Sequence, residues 1–150
     1  TISNVQVGPA VDFSVNNGCQ NDVITFTNAT EGSVTSYLWS FGDGNNSTEV
    51  DPEYSYSTNG SFTVSLTANN ELGCSNTISK LVQIYSQPQP NFSLALPPFS
   101  CAGSPSQFTD LTPPMTDSNI ASWAWKFGDA PQGTSTLKNP TYTYAQADDY

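Results

Sequence analysis

The chain has 150 residues, with 13 acidic side chains against three lysines, no arginine and a net charge of −10. Phosphate backbones and anionic membrane surfaces would repel such a chain, and no apolar run approaches the ~20 residues that span a bilayer. Histidine is absent, which removes the commonest general base and zinc ligand and argues against hydrolytic chemistry. Aromatic residues make up 12% and hydrophobic residues 36%, too many for a disordered chain. Only 11% of residues are charged, so Ser, Thr, Asn and Gln must cover most of the surface. With 11 prolines and 10 glycines this suits short strands and many turns.

In chain order, residues 1–7 read as a strand, broken by Gly8-Pro9-Ala10. Val11-Asp12-Phe13-Ser14-Val15 alternates apolar and polar, the pattern of a half-buried strand. Residues 16–22 form a turn cluster containing Cys19 and Asp22, and 23–28 a β-branched strand. In residues 36–41, Tyr37, Trp39 and Phe41 share one face and should enter a core. Gly42-Asp43-Gly44-Asn45-Asn46 then closes a hairpin, with Gly44 supplying a positive φ and the Asp43 carboxylate accepting backbone N–H groups. Tyr54-Ser55-Tyr56 is a short strand. Residues 61–69 carry the longest alternation, placing Phe62, Val64, Leu66 and Ala68 on one face. Residues 70–74 turn and 77–85 form a last strand. Gln87-Pro88-Gln89-Pro90 is a semi-stiff linker. About seven short strands without any helical period predict an all-β, immunoglobulin-like sandwich.

The pattern then repeats. Cys101 to Phe108 has the spacing of Cys19 to Phe26, at an offset of 82. Trp125-Lys126-Phe127-Gly128-Asp129 matches Trp39-Ser40-Phe41-Gly42-Asp43 at an offset of 86, and Tyr142-Thr143-Tyr144 matches Tyr54-Ser55-Tyr56 at 88. Residues 1–7 resemble 77–84. The expected organisation is a last strand of a preceding repeat (1–7), a first domain (8–87) and a second, incomplete domain (88–150), cut from a tandem array.

Trp39-Ser40-Phe41-Gly42-Asp43-Gly44, Tyr54-Ser55-Tyr56 and Gly60-Ser61-Phe62-Thr63-Val64 closely resemble a PKD (polycystic kidney disease) domain. The resemblance covers 11–86 in full and 91–150 in part. It departs from the family pattern at Phe62, where tyrosine is usual, and at Asp129-Ala130-Pro131, where glycine should follow the aspartate. That second hairpin should therefore be longer and differently shaped. The resemblance implies a seven-stranded sandwich in an extracellular protein, usually without activity of its own. The placement of the cysteines also looks like the surface adhesins of gliding Bacteroidota, of the SprB type, among type IX secretion cargo.

The three cysteines, without histidine, do not make a zinc site. Cys19 and Cys74 are candidates for a disulfide that leaves Cys101 alone. Sandwich topology objects, since the two sit at opposite poles ~20 Å apart. The alternative pairs Cys19 with a hairpin cysteine of a neighbouring repeat. Either bridge implies an oxidising compartment.

Asp43, Asn45 and Ser47 have the first spacings of a calcium loop, but Thr48 and Tyr54 stand where its glycine and bidentate glutamate belong. Because some PKD-like domains bind calcium, the resemblance leaves a junction site open, drawing on Asp12, Asp22, Asp51 or Glu53; no other cofactor is expected. Trp39 and Trp125 should be core residues, whereas Trp123 and Tyr54 are the candidates for exposed rings. Asp148-Asp149 reads as a turn and Tyr150 as a tyrosine-corner residue.

The expected function is a non-catalytic cell-surface or extracellular module, part of an adhesin stalk or filament serving adhesion or gliding motility. Its partners would be neighbouring repeats, surface polysaccharide or other surface proteins, with no nucleic acid and no membrane insertion. The alternative is a spacer or carbohydrate-interacting accessory domain of a secreted hydrolase such as a chitinase or protease.

Overall fold

The computed structural model describes residues 8–96, 102–129, 131 and 133–146. Residues 1–7, Cys101, Ala130, Asp148, Asp149 and Tyr150, each given a role from the sequence, lie outside the described residues. The protein is all-β, with no helix among the described residues, and divides into two compact units, Thr1–Gln87 and Pro88–Tyr150.

Unit 1 contains β1 (Phe13–Ser14), β2 (Gly18–Cys19), β3 (Ile24–Thr25), β4 (Thr27–Asn28), β5 (Ser36–Ser40), β6 (Asn46–Ser47), β7 (Glu53–Tyr54), β8 (Gly60–Asn69) and β9 (Ser75–Tyr85). One layer is a five-stranded sheet in the order β2-β9-β8-β5-β6. The other consists of two ladders, β1 with β4 and β3 with β7. Alternation along β8 buries Val64, Leu66 and Ala68 completely, with Phe62 packed against the core. Trp39 and Phe41 join Phe13, Ile24, Phe26, Tyr56, Val82 and Ile84 in a single apolar cluster. Burying each such large side chain contributes about 1.5–3 kcal/mol.

Three local expectations change. The strand expected over 23–28 is divided into β3 and β4, because the residue opposite Phe26 is Pro52. Phe26 N–H donates to the Pro52 carbonyl at 2.9 Å, but proline has no N–H to return. The ladder with β7 stops there, and the strand continues against β1. The turn cluster over 16–22 holds a real strand: β2 runs parallel to β9, Gly18 and Cys19 opposite Ile84 and Tyr85. Of Tyr54-Ser55-Tyr56, the strand proper is only Glu53–Tyr54.

Unit 2 contains β10 (Phe92–Ala95), β11 (Pro105–Asp110), β12 (Trp125–Lys126), β13 (Thr134–Ser135) and β14 (Thr141–Thr143). They form a three-stranded sheet, β10-β11-β14, and a separate hairpin of β12 with β13. Phe108 N–H donates to the Pro140 carbonyl at 2.9 Å, repeating the Phe26–Pro52 arrangement. Trp125, expected in the core, is only half-buried, while Trp39 is fully buried. Among the described residues of unit 2, no strand stands where β8 and β9 stand in unit 1.

Candidate functional site

The Phe-Gly-Asp turn of unit 1 gathers several polar groups around Asp43. Gly42 adopts φ 84°, and a Cβ there would lie 2.7 Å from the Thr63 carbonyl oxygen, so the turn passes directly over β8. Gly44 is also in the left-handed region, at φ 98°, but faces open space. Asp43 Oδ1 accepts the Asn45 N–H at 3.0 Å, and Oδ2 accepts the Tyr54 hydroxyl at 2.6 Å. Asn45 Nδ2 donates to the same hydroxyl at 2.7 Å. The three residues close a ring of hydrogen bonds, Asn45 giving its backbone N–H to the carboxylate and its side-chain amide to the hydroxyl.

Burial works to raise the Asp43 carboxyl, but hydrogen bonds from Tyr54 and Asn45 outweigh it and hold the group below its ordinary value of 3.8. The Tyr54 phenol is pushed up by desolvation, reinforced by the carboxylate it serves. A carboxylate stabilised in its charged form and committed to two donors is a poor general acid or base.

Beneath this ring lies an aromatic stack. Tyr54 lies flat on Phe41, with centroids 4.0 Å apart and planes 4° from parallel. Tyr56 meets Tyr54 edge-on, and its hydroxyl donates to the Phe41 carbonyl at 2.9 Å. Burial, followed by the Asp43 and Tyr54 charges, drives the Tyr56 phenol far above the ordinary tyrosine value. Trp39 Nε1 donates to the Glu49 carbonyl at 2.9 Å, so its buried indole leaves no unpaired donor.

Tyr54 is thus half-buried and a principal part of the turn, not an exposed ring. The signal that could have shown this is its recurrence: both copies place Tyr-x-Tyr after the Gly-Asp turn. Trp123 is also half-buried, with its Nε1 donating to Asp110 Oδ2 at 3.0 Å and Lys138 over its ring.

Unit 2 repeats most of this bonding, without a counterpart of the Asn45 side-chain bond, because Gly133 stands in its place. Asp129 Oδ1 accepts the Gly133 N–H at 2.9 Å, and its Oδ2 accepts the Tyr142 hydroxyl. The Tyr142 bond, followed by that from Gly133, lowers the Asp129 carboxyl. Tyr142 stacks on Phe127 at 4.0 Å, the Tyr144 hydroxyl donates to the Phe127 carbonyl at 3.0 Å, and Trp125 Nε1 donates to the Leu137 carbonyl at 2.8 Å. Phe92 and Trp125 keep the edge-on contact of Phe13 and Trp39, at 5.5 Å and 5.1 Å respectively.

The hairpin differs as its sequence implies. Phe41 N–H reaches the Asn45 carbonyl four residues on, whereas Phe127 N–H reaches that of Gly133, six on. Those two extra residues account for the rise in repeat offset from 86 to 88. Gly128, at φ 85°, keeps the conformation of Gly42. A Cβ on Gly133 would overlap the Tyr142 hydroxyl.

The remaining acidic candidates are dispersed. Asp12 forms an ion pair with Lys80 at 2.7 Å and lies below its ordinary value, chiefly through that hydrogen bond. Asp22 accepts from Gln87 Nε2 at 3.2 Å, and Asp51 accepts the Asn28 N–H at 2.8 Å. Ser47 Oγ accepts the Glu49 N–H at 3.2 Å. Among the described residues, no three acidic or thiol groups converge on one point.

The cysteines require a correction. Cys19 is a free thiol, level with Tyr85 at the end of β9, whereas Cys74 immediately precedes Ser75 at its start. A strand of 11 residues separates them by roughly 30 Å, against the ~7 Å that a disulfide tolerates. No Cys19–Cys74 bridge exists.

With the sandwich and its turn in place, residues 6–84 match the family model described as PKD domain, more than half of the chain. The chain belongs to the PKD domain family. A pre-pro-metalloprotease, PrtV of Vibrio cholerae, is 41% identical over 54 residues, which are 36% of this chain and 6% of that protein. Collagenase ColA of Bacillus cereus is 38% identical over 76 residues, 48% of this chain and 8% of the collagenase. The chain thus spans less than a tenth of the length of these curated relatives. The crystal structure of the PKD1 domain of Vibrio anguillarum Epp is similar at a TM-score of 0.50 and 29% identity, covering 55% of this chain and all of that domain. A β-sandwich carbohydrate-binding module, at 17% identity and a TM-score of 0.54 over 91% of this chain and 53% of its own, shares the fold alone. The Vibrio cholerae and Bacillus cereus relatives are a metalloprotease and a collagenase, not the gliding-motility adhesins that the cysteine placement suggests.

Proposed function

We propose that the chain is a non-catalytic, extracellular accessory segment of a larger secreted hydrolase, acting as spacer and substrate-proximal module. The relatives carry this reading: matched PKD segments occupy small fractions of a metalloprotease and a collagenase. The turn's chemistry supports it, because the carboxylates framed by aromatics, Asp43 and Asp129, are taken up by internal bonds. In this reading unit 2 is a second PKD-type domain, supported by the repeated bonding around Asp129 and Phe127.

The test compares the longer polypeptide with a version lacking residues 8–146. Hydrolysis of a small soluble substrate should be unchanged, and hydrolysis of an insoluble polymer such as fibrillar collagen or chitin should fall. Turnover of either substrate by the 150-residue chain alone would overturn the non-catalytic assignment.

The duplicated unit also favours a second reading, a stalk of neighbouring repeats on a cell-surface adhesin contacting polysaccharide or other surface proteins. A polypeptide holding many such units and no hydrolase domain would decide for it.

A further inference from the structure

The outer face of the five-stranded sheet in unit 1 carries no charge among the described residues. Ser61, Thr63, Ser65, Thr67 and Asn69 of β8 alternate with the buried Val64, Leu66 and Ala68, and so point away from the core. Opposite them on β9 stand Gln83, Leu81, Ser79, Thr77 and Ser75, in that order. Ser36, Leu38 and Ser40 extend the face onto β5, level with Asn69, Thr67 and Ser65. By the same alternation Tyr85 ends the row of Leu81 and Gln83. Together β5, β8 and β9 hold one charged residue, Lys80, whose ammonium is turned to the other side, onto Asp12 and the Phe13 ring.

Such a face is selective in a chain with a net charge of −10. The acids of unit 1 lie on the other layer or in turns: Glu53 is in β7, Asp51 accepts the Asn28 N–H of β4, and Asp12 precedes β1. A polyanion is repelled by the molecule, and a charged partner finds no complementary group on the face. A protein partner fits poorly, since interface cores favour aromatic residues, Met and Arg and are depleted in Ser. The face instead offers rows of hydroxyls, which donate and accept alike. Their short side chains have little rotamer freedom to lose, and some are already held across strands. Thr67 Oγ1 and Thr77 Oγ1 lie 2.8 Å apart, and Asn69 Nδ2 donates to Ser36 Oγ at 3.0 Å. Leu38 and Leu81, 48% and 68% exposed, stand about 16 Å apart at opposite corners of this field and supply apolar contact.

We propose that this face docks on an uncharged polysaccharide. Sugar hydroxyls and amides exchange hydrogen bonds with the Ser and Thr rows, and the C–H faces of the sugar rings rest on Leu38, Leu81 and Tyr85. The charge pattern orients unit 1, its neutral sheet meeting the polymer while the acidic layer stays in solvent. The proposal deepens the reading of a substrate-proximal module and rests on it, naming the face and the class of polymer.

The full 150-residue chain is mixed with particles of chitin or cellulose, with fibrillar collagen and with a polygalacturonate gel, and the unbound fraction is measured. Saturable binding to chitin or cellulose is expected, unchanged between about 0.05 M and about 0.5 M salt, with none to the anionic gel. Ser65→Glu with Leu81→Glu should weaken it at least about tenfold, whereas Thr27→Glu, on the other layer, should not. Leu38→Ala with Leu81→Ala, at exposed positions that leave folding intact, should weaken it about threefold or more. Urea midpoints confirm that each variant is folded. The proposal is overturned if neither particle binds the chain, if collagen alone binds it, or if both face variants bind like the parent. It is also overturned if the chain alone sediments as a dimer that Leu81→Glu dissociates, which would make a second copy the occupant. Deletion of residues 8–146 from the longer polypeptide tests the underlying reading separately. Lower hydrolysis of the insoluble polymer together with full binding by the face variants would sink the face and leave that reading standing.

Discussion

The Tyr54 hydroxyl donates to Asp43 Oδ2 across 2.6 Å while the Tyr54 ring lies flat on Phe41 at 4.0 Å. One side chain thus ties the carboxylate of the turn to the aromatic core. Tyr142 repeats both contacts with Asp129 and Phe127, across a hairpin loop two residues longer. The bond is kept where the loop is not, which assigns it to the architecture of the unit.

Asp43→Ala should lower unfolding free energy by about 1 kcal/mol, discounted for the exposure of the carboxylate, without altering any binding by the folded protein. Because folding depresses this carboxyl below 3.8, its contribution is present above that pH and is lost as pH falls through the folded value. Urea denaturation from about pH 5 to about pH 2 should show a shallower acid limb for Asp43→Asn than for the parent chain.

Tyr56→Phe removes the donor to a buried carbonyl and should cost about 1–3 kcal/mol in equilibrium unfolding. Folding raises this phenol, so its contribution is intact below pH 10 and declines as pH rises past the ordinary value of 10.0. Absorbance titration of the phenolate band should show one tyrosine ionising only as the protein unfolds, and Tyr56→Phe should abolish that phase.

Two glycines of one turn should respond differently. Gly44→Ala meets no neighbour and costs only what its left-handed backbone demands, about 1 kcal/mol. Gly42→Ala adds a collision with the Thr63 backbone and should cost roughly 3 kcal/mol or more. Equal losses in urea midpoint would show that the turn does not press on β8.

The two matched tryptophans should also separate. Trp39→Ala empties a fully buried site and should destabilise unit 1 by about 3–5 kcal/mol. Trp125→Ala, at a half-buried site, should cost unit 2 about 1–2 kcal/mol. Calorimetry resolving the two units checks the ratio.

A bridge between Cys19 and Cys74 would contribute roughly 4 kcal/mol in the chain-entropy view. Because the two thiols lie at opposite ends of β9, Cys74→Ser should change unit 1 stability by less than about 1 kcal/mol. A fall of several kcal/mol would contradict the register of β2 on β9.

Much of unit 1 was legible in the sequence because its signals are local. Alternation along residues 61–69 named the buried face of β8, and Tyr37, Trp39 and Phe41 named that of β5. The departure at Asp129-Ala130-Pro131 announced a longer hairpin, and the bond from Phe127 to Gly133 shows it. These features depend on side-chain alternation and on φ preferences, which a short window contains.

Tertiary structure decided what depends on distant partners. Gly18–Cys19 reads as a turn until β9 arrives to pair with it in parallel. The Phe26 strand divides because Pro52, far along the chain, lies opposite and lacks an N–H. Tyr54 reads as an exposed ring until Asp43 and Phe41 close around it. Trp125 matches Trp39 in sequence and in bonding, yet is half-buried where Trp39 is fully buried. Local pattern states which face of a strand is apolar; only the assembled sheets determine whether that face is covered.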